Sequence, residues 1–356
     1  MKIGLVLSGG GAKGAYQAGV VKALAELDAQ VDMVAGASIG ALNAAILASS
    51  SSLRDGAEKM EELWTTLAIS PPLAPNFPAY LHLLISAGMR FNGIPKLNNI
   101  ISTAISKNLP TPTFFQNILK GILLDKAFKT GLLSDDPLHL LMEKHFNPEL
   151  LSKGIPLYCS VFKSSDPLQD ILAVIAADIG LTDSPSSEFI HIQSLPADQQ
   201  KEALLASAAI PLLFAPKRIN DKIYHDGGMG GWQKMQGNTP ITPLLQQGIR
   251  HIIVTHLSDG SLWSRQDFPD ATVLEIRPKS SIQRDGEIKD ILGFDQKKIP
   301  SWIEQGYEDT LHCVGRVMQT ASARNELRAS ETALMKSKNS FDELDRELLQ
   351  SLQRLE

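Results

Sequence analysis

Apolar runs of strand length alternate with amphipathic stretches of helix length along most of this chain. Ile3-Gly4-Leu5-Val6-Leu7 and Val31-Asp32-Met33-Val34-Ala35 read as strands. Near-continuous apolar runs of this length suit a sheet covered on both faces. A helical period follows the first run over Ala12–Leu27. After the second come a small-residue helix, Ala41–Ala48, and an amphipathic one around Leu53–Leu67. The alternation breaks from about Ile69 to Thr130, where Pro71, Pro72, Pro75, Pro78, Pro95, Pro110 and Pro112 separate short apolar helical pieces. It resumes with a helix over Leu138–Phe146 and a strand over Pro156–Phe162. Further strands are predicted over Ile171–Ala176, Phe189–Ile192, Lys222–His225, Ile252–Leu257 and Ala271–Ile276, with a helix at Ala197–Ala208. Beyond roughly Ile299 the pattern is helical to the end. Such alternation predicts an α/β protein with a mainly parallel sheet wound with helices.

Two glycine-rich turns carry the chemistry. Gly9-Gly10-Gly11-Ala12-Lys13-Gly14 follows the first strand, and Gly36-Ala37-Ser38-Ile39-Gly40 follows the second. A serine between glycines at a strand-to-helix turn is the nucleophile-elbow pattern, in which a strained backbone pushes Oγ clear of the sheet. Neighbouring parallel strands would bring that serine beside a nest of backbone N–H donors. A serine also needs a base. Asp226, in Ile223-Tyr224-His225-Asp226-Gly227-Gly228, ends a short strand and is the best candidate. Alone, Asp-Gly-Gly is an ordinary turn signal.

Composition narrows the picture. The 356 residues, 43% hydrophobic and 21% charged, are enough for one large α/β domain or two small ones. A net charge of −5 gives no reason to expect nucleic acid as a partner. Cys159 and Cys313 are the two cysteines and match neither a disulfide framework nor a metal spacing, and the eight histidines show no ligand spacing. No metal or cofactor is expected. The start of the chain lacks the pattern of a signal peptide, and no apolar run reaches bilayer length, so a cytoplasmic protein able to touch membranes is expected.

The order and context of the glycine turn, the Gly-x-Ser-x-Gly elbow and the Asp-Gly-Gly resemble patatin-like phospholipases. Other stretches resemble the same family: Leu132-Leu133-Ser134-Asp135-Asp136-Pro137-Leu138, Ala206-Ser207-Ala208-Ala209-Ile210-Pro211, Asn238-Thr239-Pro240 and Glu304-Gln305-Gly306-Tyr307. The resemblance covers about residues 1–67, 131–260 and 290–315. It implies a three-layer α/β/α sandwich that hydrolyses acyl esters of phospholipids or lysophospholipids with a Ser–Asp dyad. Carried over, Ser38 is the nucleophile and Asp226 the base, and the N–H groups around Gly9, Gly10 and Gly11 form the oxyanion hole. Lys13, Gly14, Gly36, Gly40, Gly227 and Gly228 support them. Where the family often has arginine, Lys13 keeps the charge but loses the planar fork. An exposed aspartate, with a pKa of about 3.9, is a feeble base toward an alcohol. The dyad works only if desolvation strengthens the carboxylate or if proton transfer is concerted with attack on the ester. Asp226 is therefore expected to be shielded from water, with its pKa raised. The loop from Met229 to Gly237 is longer than the family usually has, and its Trp232 and methionines suit either an acyl groove or a plain surface loop.

Other readings fit the same residues less well. Gly9-x-Gly11-x-x-Gly14 also matches a dinucleotide fingerprint, but no acid stands at the end of the second strand, where Gly36-Ala37-Ser38 lies. A Ser-Asp-His triad would enlist His256, yet α/β-hydrolases place several strands before the elbow and here only one precedes the elbow strand. His225 is adjacent to Asp226, and strand alternation turns it to the opposite face. Two further functions share the site: an acyltransferase passing the acyl group from Ser38 to an alcohol, and a silent lipid-binding or regulatory protein.

The expected organisation is a catalytic domain over 1–315, with a helical cap inserted at about 69–130, and a helical extension over 316–356. From Ala79 to Thr130 six basic residues face one acid, Asp125, and Phe114, Phe115, Ile118, Leu119, Ile122, Leu123 and Phe128 recur at helical spacing. That combination suits peripheral contact with anionic lipid, or a lid packed over Ser38. A basic, proline-broken cap also suits a switch thrown by an activating ligand or partner. Phe341, Leu344, Leu348, Leu352 and Leu355 form a last apolar stripe, fit for a short coiled coil in a homo-oligomer or for docking on the chain's own domain.

Overall fold

The computed structural model describes residues 2–69, 136–178, 180–211, 213–258, 262–282 and 293–353. The expected cap, apart from Ile69, lies outside the described residues, as does its apolar and basic helix pattern. Two compact units are present, Met1–Cys313 and Val314–Glu356.

The first unit begins with β1 (Ile3–Leu7), a 3₁₀ turn over Gly11–Gly14, and α1 (Ala15–Glu26). Then follow β2 (Met33–Ala37), α2 (Ile39–Ala48) and α3 (Leu53–Ile69). After the segment outside the description come α4 (Asp136–His145), α5 (Pro148–Lys153), β3 (Leu157–Ser164) and α6 (Pro167–Asp178). The remaining elements are β4 (Glu188–His191), α7 (Ala197–Ser207), β5 (Lys217–Ile219), β6 (Lys222–Asp226), α8 (Thr242–Gln246), β7 (His251–Thr255) and β8 (Thr272–Ile276). A final helix, α9, spans Lys298–Gln353; its residues from Val314 onward belong to the second unit, where Phe341 and Leu344 are exposed.

The strands form one sheet in the order β5-β6-β3-β2-β1-β7-β8, with β4 on β3 as well. The five strands from β3 to β8 run parallel, and β4, β5 and β6 make an antiparallel margin. The parallel strands are buried on both faces, which is why they read as continuous apolar runs. On one face Val6, Ala35, Ile252, Val254 and Val273 pack against Ile241, Leu244 and Trp263. From β1 the chain winds outward through β2 and β3, and it later returns to the other side of β1 with β7. The sheet thus changes winding direction at the carboxyl end of β1, where open α/β sheets hold their ligands.

One expected element is corrected. Ile171–Ala176, predicted as a strand, lies inside α6. Pro167 opens that helix, where its missing N–H costs nothing. The Asp166 carbonyl and carboxylate accept the N–H groups of Asp170 (2.9 Å) and Gln169 (3.4 Å). A short apolar run has the same look in a buried strand and a buried helix, and here the start signal just before it decides.

Candidate active site

Ser38 sits between β2 and α2 with φ 51° and ψ −127°, a backbone state that costs an L-residue on the order of 1–3 kcal/mol. Its surroundings hold it there. The Ser38 N–H donates to Ser207 Oγ (3.0 Å), and that hydroxyl donates to the Ser160 carbonyl (2.6 Å). Close backbone approach explains the flanking glycines: a Cβ on Gly36 would stand 2.4 Å from the Gly40 carbonyl oxygen, and one on Gly40 2.1 Å from that of Leu7.

Asp226, the last residue of β6, is 7% exposed. Its N–H donates to the Ala209 carbonyl (3.0 Å), and its Oδ1 accepts the Gly228 N–H (2.8 Å). Oδ2 is buried and makes no hydrogen bond of regular geometry, yet the Ser38 hydroxyl is close enough to pull the carboxyl pKa down. Burial outweighs that pull and the Gly228 N–H together, and pushes Asp226 up to about 6. The shielding and the raised pKa expected of Asp226 are both present.

The glycine turn is stitched to the loop beyond Asp226. Gly9 N–H donates to the Asn238 carbonyl (3.2 Å), Asn238 Nδ2 reaches back to the Gly9 carbonyl (3.4 Å), and the Ser8 and Thr239 hydroxyls share a hydrogen bond (2.9 Å). This modifies the expected oxyanion nest, because the N–H of Gly9 is already committed. Gly10 and Gly11 line the cleft, and among the described residues neither N–H donates to a backbone carbonyl outside the turn. Lys13 is buried in the same wall.

Ser38 and Asp226 open onto a cleft of about 220 Å³ whose other lining is mostly apolar: Ile171 and Val174 of α6, Ile210, Pro211, Met229, Trp232, Met235 and Leu257. The 229–237 loop therefore lines the site. It is fastened to the 183–187 segment: Ser184 Oγ donates to the Met229 carbonyl (2.6 Å) and accepts the Trp232 N–H (3.1 Å), and Asp183 Oδ1 accepts the Gln233 N–H (2.9 Å).

Two histidines, His256 and His225, were candidates beside Ser38 and Asp226. His256 borders the cleft, but its Nε2 is bonded to Glu275 (3.1 Å) and its ring packs against Trp263. Burial lowers its pKa. Among the described residues no hydrogen bond joins it to Ser38 or Asp226. His225 is buried, and that burial pushes its pKa down to about 4. Among the described residues no group of three His, Cys, Asp or Glu side chains is placed to hold a metal, and no helix is long and apolar enough to cross a membrane.

Sheet, elbow turn and buried carboxylate bring a serine and an aspartate onto one cleft of an α/β fold, and comparison gives the family. Residues 5–245 match the patatin-like phospholipase family, and the chain belongs to that family. It is 54% identical over 46 residues to lysophospholipase nte1 of Aspergillus terreus, a match covering 13% of this chain and 3% of that protein. It is 48% identical over 60 residues to neuropathy target esterase sws of Drosophila melanogaster, covering 17% and 4%. The chain thus matches only a small part of the length of these relatives. Among solved structures, VipD from Legionella pneumophila aligns with a TM-score of 0.41 at 17% identity, covering 88% of this chain and 67% of that one.

Proposed function

We propose that this protein is a lipid acyl hydrolase that cleaves acyl esters of phospholipids or lysophospholipids through an acyl-Ser38 intermediate. The observation that supports this most is the buried Asp226 carboxyl: the Gly228 N–H fixes its Oδ1, the Ser38 hydroxyl lowers its pKa against the pull of burial, and both residues line one mostly apolar cleft. In acylation Ser38 Oγ attacks the ester carbonyl and its proton passes to Asp226. The oxyanion takes the N–H groups of Gly10 and Gly11, and the N-terminus of α2 adds positive dipole beside Ser38. Asp226 returns the proton to the departing alcohol or lysolipid. It then deprotonates the water that attacks the acyl carbonyl and returns that proton to Ser38 Oγ as the fatty acid leaves.

Free fatty acid release from mixed phosphatidylcholine and phosphatidylglycerol vesicles tests this reading. Release by the wild type is expected; cleavage of a short-chain ester alone would remove the lipid from the assignment. The pH profile follows from the base. Asp226 must be ionised, so kcat/KM for a soluble ester rises with pH up to about 6 and levels off above it. A profile already flat at pH 4 would contradict a buried base. Trp232→Ala, which strips one wall of the cleft, is expected to raise KM for a long-chain ester about tenfold, as losing roughly 1.4 kcal/mol of apolar contact would. An acetyl ester, too short to reach that wall, should be unaffected; equal effects on both would contradict an acyl groove.

A further inference from the structure

Both ends of the glycine turn are gripped by one buried side-chain network that starts on the helix behind Ser38. Gln17 of α1 donates from Nε2 to the carbonyl of Ser8, just before the turn (2.7 Å). Asn43 of α2 donates from Nδ2 to the carbonyl of Gly14, at its end (3.0 Å), and to Gln17 Oε1 (2.8 Å). Trp64 of α3 donates from Nε1 to Asn43 Oδ1 (3.1 Å). Gln17 and Trp64 are 0% exposed and Asn43 1%. Displacing the turn relative to α2 would strand amides and carbonyls away from water, at a cost well above that of a bond exchanged with solvent.

Resting on the reading of Ser38 as nucleophile, we infer that Asn43 and Gln17 are positioning residues: a strut that sets the Gly10 and Gly11 donors at their working distance from Ser38. Ser38 rides at the start of α2 and Asn43 lies one turn further along the same helix. The nucleophile and the oxyanion donors are therefore indexed to each other through a single amide. Misplaced donors weaken the transition state and leave the bound ester largely unchanged, because the full oxyanion exists only after attack.

The test uses Asn43→Leu, close in shape but without the amide, and Gln17→Met, which frees the Ser8 end and removes one acceptor of Asn43 but leaves the Asn43–Gly14 bond. Functional sites are counted by stoichiometric fluorophosphonate labelling, so that misfolded protein drops out of the comparison. Each variant is then assayed on a soluble ester and with a trifluoromethyl ketone. Addition of Ser38 Oγ to the ketone carbon, with the serine proton passing to Asp226, leaves an oxyanion in the same nest. For Asn43→Leu, kcat per labelled site is expected to fall about a hundredfold, KM to stay within about twofold, and the ketone inhibition constant to rise by the factor lost from kcat. Gln17→Met should show the same split at about tenfold. Variants with a lowered melting temperature but unchanged per-site kcat and ketone affinity would overturn the strut and leave ordinary core hydrogen bonds. A wild type that neither cleaves the ester nor binds the ketone would overturn the assignment of Ser38, and the strut with it. Wild-type activity with both variants unchanged overturns the strut alone.

Discussion

Asp226→Asn is expected to abolish turnover and, above about pH 6, to make the protein more stable than the wild type. The first effect is the loss of the base: asparagine keeps the shape but cannot take the Ser38 proton, so kcat should fall by at least about 10³-fold. The second follows from linkage. Burial raises the Asp226 pKa from an ordinary 3.8 to about 6. Between those values the folded protein holds a proton that the unfolded chain has released, so stability falls as pH rises through this window and stays lowered above it. The deficit at neutral pH is on the order of 3 kcal/mol. A neutral amide has no such deficit. Thermal melts at pH 8 should place Asp226→Asn above the wild type, with the difference shrinking toward pH 4. Ser38→Ala should lose activity without removing the pH dependence. An Asp226→Asn protein less stable than the wild type at pH 8 would contradict the charged, desolvated carboxylate.

Gly40→Ala is expected to damage folding severely for a change of one methyl. The new Cβ would stand 2.1 Å from the carbonyl oxygen of Leu7 and 2.7 Å from that of Ser8. Both are backbone atoms of buried β1 and its exit, so no rotamer change relieves the clash. Either α2 lifts off the sheet or the elbow opens, at a cost of about 3 kcal/mol or more. Poor soluble yield, or a sharply lowered melting point with loss of esterase activity, is the expected result. A variant that melts and turns over like the wild type would show that the elbow is looser than described.

Much of this site was legible in the sequence because its parts are local. The Ser38 elbow is a five-residue pattern, and Asp-Gly-Gly, an ordinary turn signal by itself, singles out Asp226 once the glycine turn and the elbow accompany it. The parallel core was legible for a similar reason: strands buried on both faces cannot alternate, so β1 and β7 read as apolar runs. Ile171 and Val174 were misassigned because the same apolar run suits a helix, and only Pro167 and the capping by Asp166 separate the two. The distant partners carried no signal. Nothing near Ser207 in sequence says that its hydroxyl will hold the Ser38 N–H across the sheet, and nothing near Asn238 says that its carbonyl will take the N–H of Gly9. Gln17, Asn43 and Trp64 each look like ordinary helix residues until three helices bring them together. Local motifs single out the candidate groups, and long-range packing decides how they are aimed.

The central claim is a covalent acyl-serine, and the most direct measurement is to trap it. Wild-type protein turning over phosphatidylcholine vesicles would be quenched in acid within the first turnovers, digested, and its peptides weighed. A fatty acyl adduct is expected on the peptide holding Gly36-Ala37-Ser38-Ile39-Gly40, localised to Ser38 and absent from Ser38→Ala. Fatty acid release continuing in Ser38→Ala, or an adduct on any other residue, would contradict it.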